Sequence, residues 1–189
     1  MMMRGALGPT RLVGIGLAAL ALSACASMPA SIEPTRNPMH LPAPDWDPAG
    51  PPRIANSRAH LQCVPYAREI SGIEIYGDAV TWWNQAAGRY PRSGTPASGS
   101  VLVVQGYNNP RRGHVAVVRN VLSSRIITID HANWHNGGEI SVAVPVMDVS
   151  AEGDWSAVRV WYIPGRHWGG RIYRPQGFIH PFSLRGLSS

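Results

Sequence analysis

From Ser100 onward the sequence changes period, and this change limits the fold more than any other feature. Ser100-Val101-Leu102-Val103-Val104-Gln105 is short, rich in β-branched residues and bounded by Gly99 and Gly106. Further runs of strand character follow at His114–Leu122, Arg125–Ala132, Glu139–Val144 and Val158–Ile163. Ser123-Ser124 and Asn136-Gly137-Gly138, which separate some of them, carry hairpin chemistry. The chain before Ser100 reads as helix. Pro65 suits a first helical turn, where its missing N–H costs nothing. Val64, Ala67 and Ile70 are expected to line one face, and Gly72 to end the helix as a C′ residue. A second helix is expected after Asp78, a good N-cap, with Ala79, Trp82, Trp83 and Ala86 on its apolar side and Gly88 closing it. Helices followed by an antiparallel run of strands predict an α+β domain, with the N-terminal helices packed on the sheet. No internal repeat is visible. Residues 164–189 are rich in glycine, proline and aromatics; residues 173–181 are expected to pack back on the domain, with 183–189 a loose tail.

The start of the chain reads differently. Arg4 and Arg11 precede an apolar run from Leu12 to Leu22 that closes on Leu22-Ser23-Ala24-Cys25. The run is shorter than the roughly 20 apolar residues a spanning helix needs. A basic opening, a short apolar stretch and small residues before a cut site read as an export signal over residues 1–24. Leu-Ser-Ala-Cys resembles the bacterial lipobox, which implies acylation of Cys25 and a membrane anchor without a transmembrane helix. Residues 25–57, with Pro42-Ala43-Pro44 and Pro51-Pro52, read as an extended linker giving the domain reach. The expected location is the cell envelope, tethered to the outer membrane and facing the periplasm.

Charge excludes one class of partner. The formal net charge is +6; without Arg4 and Arg11, fifteen basic residues face eleven acidic ones, leaving +4 scattered over loops. That is no footprint for nucleic acid. A mildly basic face suits an anionic wall polymer.

The chain has two cysteines, and lipid on Cys25 leaves Cys63 as the single thiol of an exported domain. Structural cysteines in an oxidising compartment pair, so an unpaired one reads either as reactive or as a small buried hydrophobe. Cys63 falls at the predicted helix start, where orphan amides and the helix dipole favour a thiolate. His114 opens a strand after Gly113 and can take the thiol proton, then return one to a leaving amine. Alternation along the next strand puts Ile127, Ile129, His131 and Asn133 on one side and Asp130 on the other. His131 is therefore expected to orient His114, with Asn133 as a supporting hydrogen bonder and Asp130 as the fallback. His40, His60, His167 and His180 are read as solvated or packing residues.

Several motifs in order carry a resemblance: Gln62-Cys63 with Tyr66-Ala67-Arg68, Gly77-Asp78-Ala79 with Trp82, Gly99-Ser100-Val101, Gly113-His114-Val115-Ala116, Asn133-Trp134 and Gly177-Phe178-Ile179. Over roughly residues 60–182 the chain resembles the CHAP family of cysteine, histidine-dependent amidohydrolases/peptidases. The resemblance implies a papain-like fold over a domain set at 58–182, a Cys63 nucleophile, a His114 base and hydrolysis of an amide in bacterial peptidoglycan, by a monomer without cofactor. The sequence departs from the family at His131, where a glutamate is usual.

Two other readings compete. His131 and His135 have the four-residue spacing of helical metal ligands, but Asn136-Gly137-Gly138 argues for a turn there and the glutamate of an HExxH motif is missing. The fold could also serve as an inactive peptidoglycan-binding module. Trp134, beside the proposed site, is the tryptophan placed to line a groove.

Overall fold

The computed structural model describes residues 50–184. The predicted signal, Cys25, His40, most of the predicted linker and the last residues of the tail lie outside the described residues. The described chain is mostly antiparallel sheet with two short helices. Its strands are β1 (Arg53–Asn56), β2 (Arg92–Ser93), β3 (Val101–Gln105), β4 (Gly113–Ser123), β5 (Ile126–Ala132), β6 (Ile140–Asp148), β7 (Val158–Tyr162), β8 (His167–Trp168) and β9 (Pro175–Ile179); the helices are α1 (Cys63–Ser71) and α2 (Trp82–Gln85).

The sheet runs β2-β9-β3-β4-β5-β6-β7-β8, every pairing antiparallel, and β1 joins the edge of β6 that β7 leaves free. Strand β9 comes from the segment expected to pack back on the domain. It enters the sheet between β2 and β3 and bonds to both. Strand β1 corrects the linker boundary: Arg53–Asn56, expected as linker, is in the sheet, although all four residues are exposed. Strand β6 also runs past its predicted end at Val144, to Asp148, because its far half pairs with β7.

The apolar runs are continuous because both faces of the central strands are covered. On one face Val101, Val103, Val115 and Val117 form a cluster with Ala67 of α1 and with Ile73, Ile75 and Trp82. On the other, Leu102, Val104, Ala116, Val118, Ile127 and Ile129 bury against Trp155, Trp161, Trp168 and Phe178. Full burial of side chains such as Ile73 or Phe178 contributes roughly 1.5–3 kcal/mol each.

Both helices differ in detail from the sequence reading. Helix α1 starts at Cys63 and stops at Gly72, which is left-handed (φ 72°) and returns its N–H to the Arg68 carbonyl. Its inner face uses Tyr66 and Ala67, while Ile70 is half exposed, contrary to expectation. The second helix is a 3-10 turn over Ala79–Thr81 continuing into a single α turn, and the Asp78 side chain makes no capping bond. Thr81 instead bonds the Asp78 carbonyl through its own hydroxyl, at 2.7 Å. No helix among the described residues is long and apolar enough to cross a membrane.

Candidate active site

Cys63 is the first residue of α1. Gln62 before it is extended (φ −85°, ψ 159°) and caps nothing with its side chain, so the amides of the first turn are not spent on a side-chain cap. Backbone N–H groups of Val115, Val64 and Cys63 favour the thiolate, but burial outweighs them and pushes the thiol above its ordinary pKa. At neutral pH Cys63 rests as a thiol.

His114 is the second residue of β4, opposite Val104 of β3. The glycine before it is dictated by packing: a Cβ on Gly113 would lie 2.7 Å from the Val80 nitrogen and 2.8 Å from its Cα. Only glycine lets the 3-10 turn close over the start of β4, and His114 is set by that contact. Its Nε2 lies 3.0 Å from Nδ1 of His131. Trp134 stands nearly edge-on to the His114 ring, with centroids 4.8 Å apart. Burial lowers the His114 pKa to about 4, opposed by the charge of Glu139. His131 is 1 % exposed and is driven well below the usual imidazole range, by burial first and then by His114 and His135. Cys63 and His114 line one cleft of about 590 Å³.

Of the three candidates for orienting His114, the structure brings only His131 onto the ring. Asp130 points the other way, as strand alternation requires. Its carboxylate binds Arg119 through Nε at 2.8 Å and Nη2 at 2.7 Å, and accepts the Ala143 N–H at 2.8 Å. The register slips on both sides of Asp130, between Val118 and Asn120 of β4 and opposite Ala143 of β6, where φ is 55°. Asp130 ties these two irregularities together.

Asn133 corrects the second expectation. Its backbone turns left-handed (φ 61°), which takes it off the strand and out of the alternation. Its Nδ2 donates to Gln62 Oε1 at 2.7 Å and its Oδ1 accepts the Gly138 N–H at 2.8 Å. Asn133 thus steadies Gln62, the neighbour of the thiol, rather than His114. The turn carrying it presses on the approach to α1: Leu61 N–H bonds the Gly138 carbonyl at 3.0 Å, and a Cβ on Gly138 would lie 2.7 Å from the Cα of His60. Buried Glu139 closes this turn by accepting the N–H groups of His135 at 2.7 Å and Gly137 at 3.2 Å.

The four-residue spacing of His131 and His135 is not helical, since the chain passes from strand to turn between them. No group of three or more His, Cys, Asp or Glu residues among the described residues could hold a metal ion. His180 packs as expected, its Nε2 2.8 Å from the Ser93 hydroxyl. His167 does more than the sequence reading gave it, because it lines the cleft.

A family profile matches the chain, and it is that of the CHAP domain. Residues 54–133 carry the CHAP match. The matched stretch contains Cys63, His114, His131 and Asn133, and also all of β1 but Arg53. CHAP domains are typically cysteine/histidine-dependent amidohydrolases or peptidases and suggest a peptidoglycan-hydrolase or amidase-type role. The family implies a papain-like fold. No curated protein matches the chain.

Part of the cleft lies beyond the CHAP match. Trp161, Tyr162, His167, Arg171 and Tyr173 line it from the segment around β7 and β8. Within the matched stretch, Tyr107 and Arg112 line it from the loop before β4. The sequence reading named none of these as site residues except to set His167 aside. Gln62 was missed as well, although its place directly before the cysteine was the one available signal.

Proposed function

We propose that the chain hydrolyses an amide bond of peptidoglycan through a thioester on Cys63, with His114 as general base and then general acid. The observation that carries this reading is the shared cleft of Cys63 and His114, with Nε2 of His114 held by His131. Donation of Nε2–H to His131 Nδ1 leaves the Nδ1 lone pair of His114 to take the thiol proton. The Cys63 sulfur attacks the amide carbon as that proton leaves. The tetrahedral oxyanion is stabilised by the Cys63 N–H at the helix start and by Gln62, whose Oε1 is occupied by Asn133 while Nε2 remains a donor. The imidazolium protonates the departing amine, and a water deprotonated by His114 cleaves the thioester, restoring the thiol. The bond is the muramoyl–L-alanine amide or one within the stem peptide. In the same reading the export signal and acylated Cys25 tether the domain in the cell envelope.

A second reading rests on His131. A neutral imidazole where the family usually has a carboxylate supports the imidazolium less, which favours an inactive wall-binding module. Digestion of purified peptidoglycan by wild type and Cys63→Ala, with fragments resolved by mass, separates the two. Soluble fragments from wild type alone are expected and identify the bond. Equal release by both proteins removes Cys63 as nucleophile, and binding without release favours the inactive module.

A further inference from the structure

The cleft has a second end with one-sided chemistry. From His114 a line of rings leads through Trp134 at 4.8 Å, on to Tyr173 at 5.1 Å and to Tyr107 at 5.8 Å between centroids. It ends at Arg171, whose guanidinium carbon lies 4.9 Å from the Tyr107 centroid. Arg112 enters the same cleft from the loop before β4. Neither arginine has a carboxylate partner among the described residues. No Asp or Glu is among the described residues that line the cleft. Glu139 lies close enough to act on His114, but its carboxylate is taken up by the His135 and Gly137 amides.

Exposed arginines are often merely solvated, but the surroundings here argue otherwise. Arg171 is stacked on Tyr107, which limits its rotamers before any ligand arrives. Arg112 and Arg171 give the cleft a positive charge that no lining carboxylate offsets. An anion complements that charge, and a planar carboxylate matches the guanidinium fork.

The geometry points to a substrate with a free carboxylate near the scissile amide, held by Arg171 and Arg112 at the end of the Trp134–Tyr173–Tyr107 wall. The substrate class is an acidic peptide. This rests on the cleft being the catalytic site, as proposed above. Four successive contacts of about 5 Å set an upper limit of roughly 20 Å between His114 and Arg171. An extended peptide advances about 3.3–3.6 Å per residue, so the carboxylate lies within about six residues of the cut.

The test uses the full chain carrying Cys63→Ala, titrated calorimetrically with soluble muropeptides and with the same muropeptides after conversion of their carboxylates to primary amides. Amidation is expected to weaken binding roughly 10- to 100-fold, the range of a charge-assisted hydrogen bond. Adding Arg112→Gln and Arg171→Gln is expected to bring both forms to the same weak affinity, with the melting temperature checked to confirm folding. Absence of binding to the unmodified muropeptides, equal binding of both forms, or a preference that survives the arginine substitutions overturns the inference. Digestion by wild type tests the parent reading separately. A binding preference without cleavage keeps the anion site and removes the hydrolase, whereas cleavage with no preference does the opposite.

Discussion

Acid is expected to destabilise this domain through its own candidate catalytic histidine. His114 titrates near 6.5 when unfolded and at about 4 in the fold, because burial disfavours its charged form. Between these values the unfolded chain binds the extra proton, so stability rises with pH. The contribution is complete above about pH 6.5 and is lost as pH falls towards 4. The full difference of about 2.5 pKa units corresponds to about 3 kcal/mol, and about 2 kcal/mol of it is already gone at pH 5. His131, shifted the same way and coupled to His114, adds to the loss. Urea unfolding followed by tryptophan fluorescence at pH 8, 6.5, 5.5 and 5 measures the effect, with His114→Gln as reference. At roughly 1–3 kcal/mol per molar urea, the wild-type midpoint should fall by about 1 M more than the variant's between pH 8 and pH 5. Parallel midpoints in the two proteins would refute the argument, since His114 would then be no harder to protonate folded than unfolded.

The thiol gives a second, independent test. With burial raising its pKa, Cys63 should alkylate slowly near pH 7 and faster through and above pH 9, whereas a fast plateau at neutral pH would reveal a thiolate–imidazolium pair and contradict the neutral resting state. His131 and Asp130 should separate by readout. His131→Leu removes the acceptor for His114 and is expected to lower kcat by about 10²–10⁴ with partial rescue in His131→Gln, while Asp130→Asn is expected to cost about 1–3 kcal/mol of stability and leave kcat of the folded enzyme near wild type. The opposite ranking would return the orienting role to Asp130.

What could be read in the sequence was local, and what could not depended on long-range pairing. Cys63 at a helix start follows from Pro65 and Gly72, and the relation of His131 to Asp130 from alternation along one strand. The same rule failed two residues later because Asn133 is left-handed, and asparagine is one of the few residues that adopts this conformation readily. Strand β9 contains Pro175 and Gly177, poor strand formers, and becomes a strand because β2 and β3 pair with both its edges. Strand β1 follows a proline-rich stretch and shows no buried alternation, since its role is to complete the edge of β6. The arginine end of the cleft joins residues from the loop around 107–112 to residues 171–173 through ring contacts, and no periodicity in either segment announces that meeting.

The histidine at position 131 changes what the rest of the site must supply. A carboxylate there would hold His114 charged and share the proton with it. With a neutral imidazole there instead, burial keeps Cys63 above its ordinary pKa and His114 at about 4, so the proton rests on sulfur. Moving it to His114 before attack is therefore uphill, because burial disfavours both the thiolate and the imidazolium. Two features of the cleft can offset that cost. In the proposed reaction the helix-start amides and Gln62 act on charge that develops on the substrate oxygen, and they act only in the transition state. Binding at Arg171 and Arg112 is remote from the bond, and it lowers the barrier only if it fixes the amide carbon against the sulfur. The ring contacts of Trp134, Tyr173 and Tyr107 form a continuous wall from His114 to Arg171, and such a wall can convert a distant ion pair into position at the thiol.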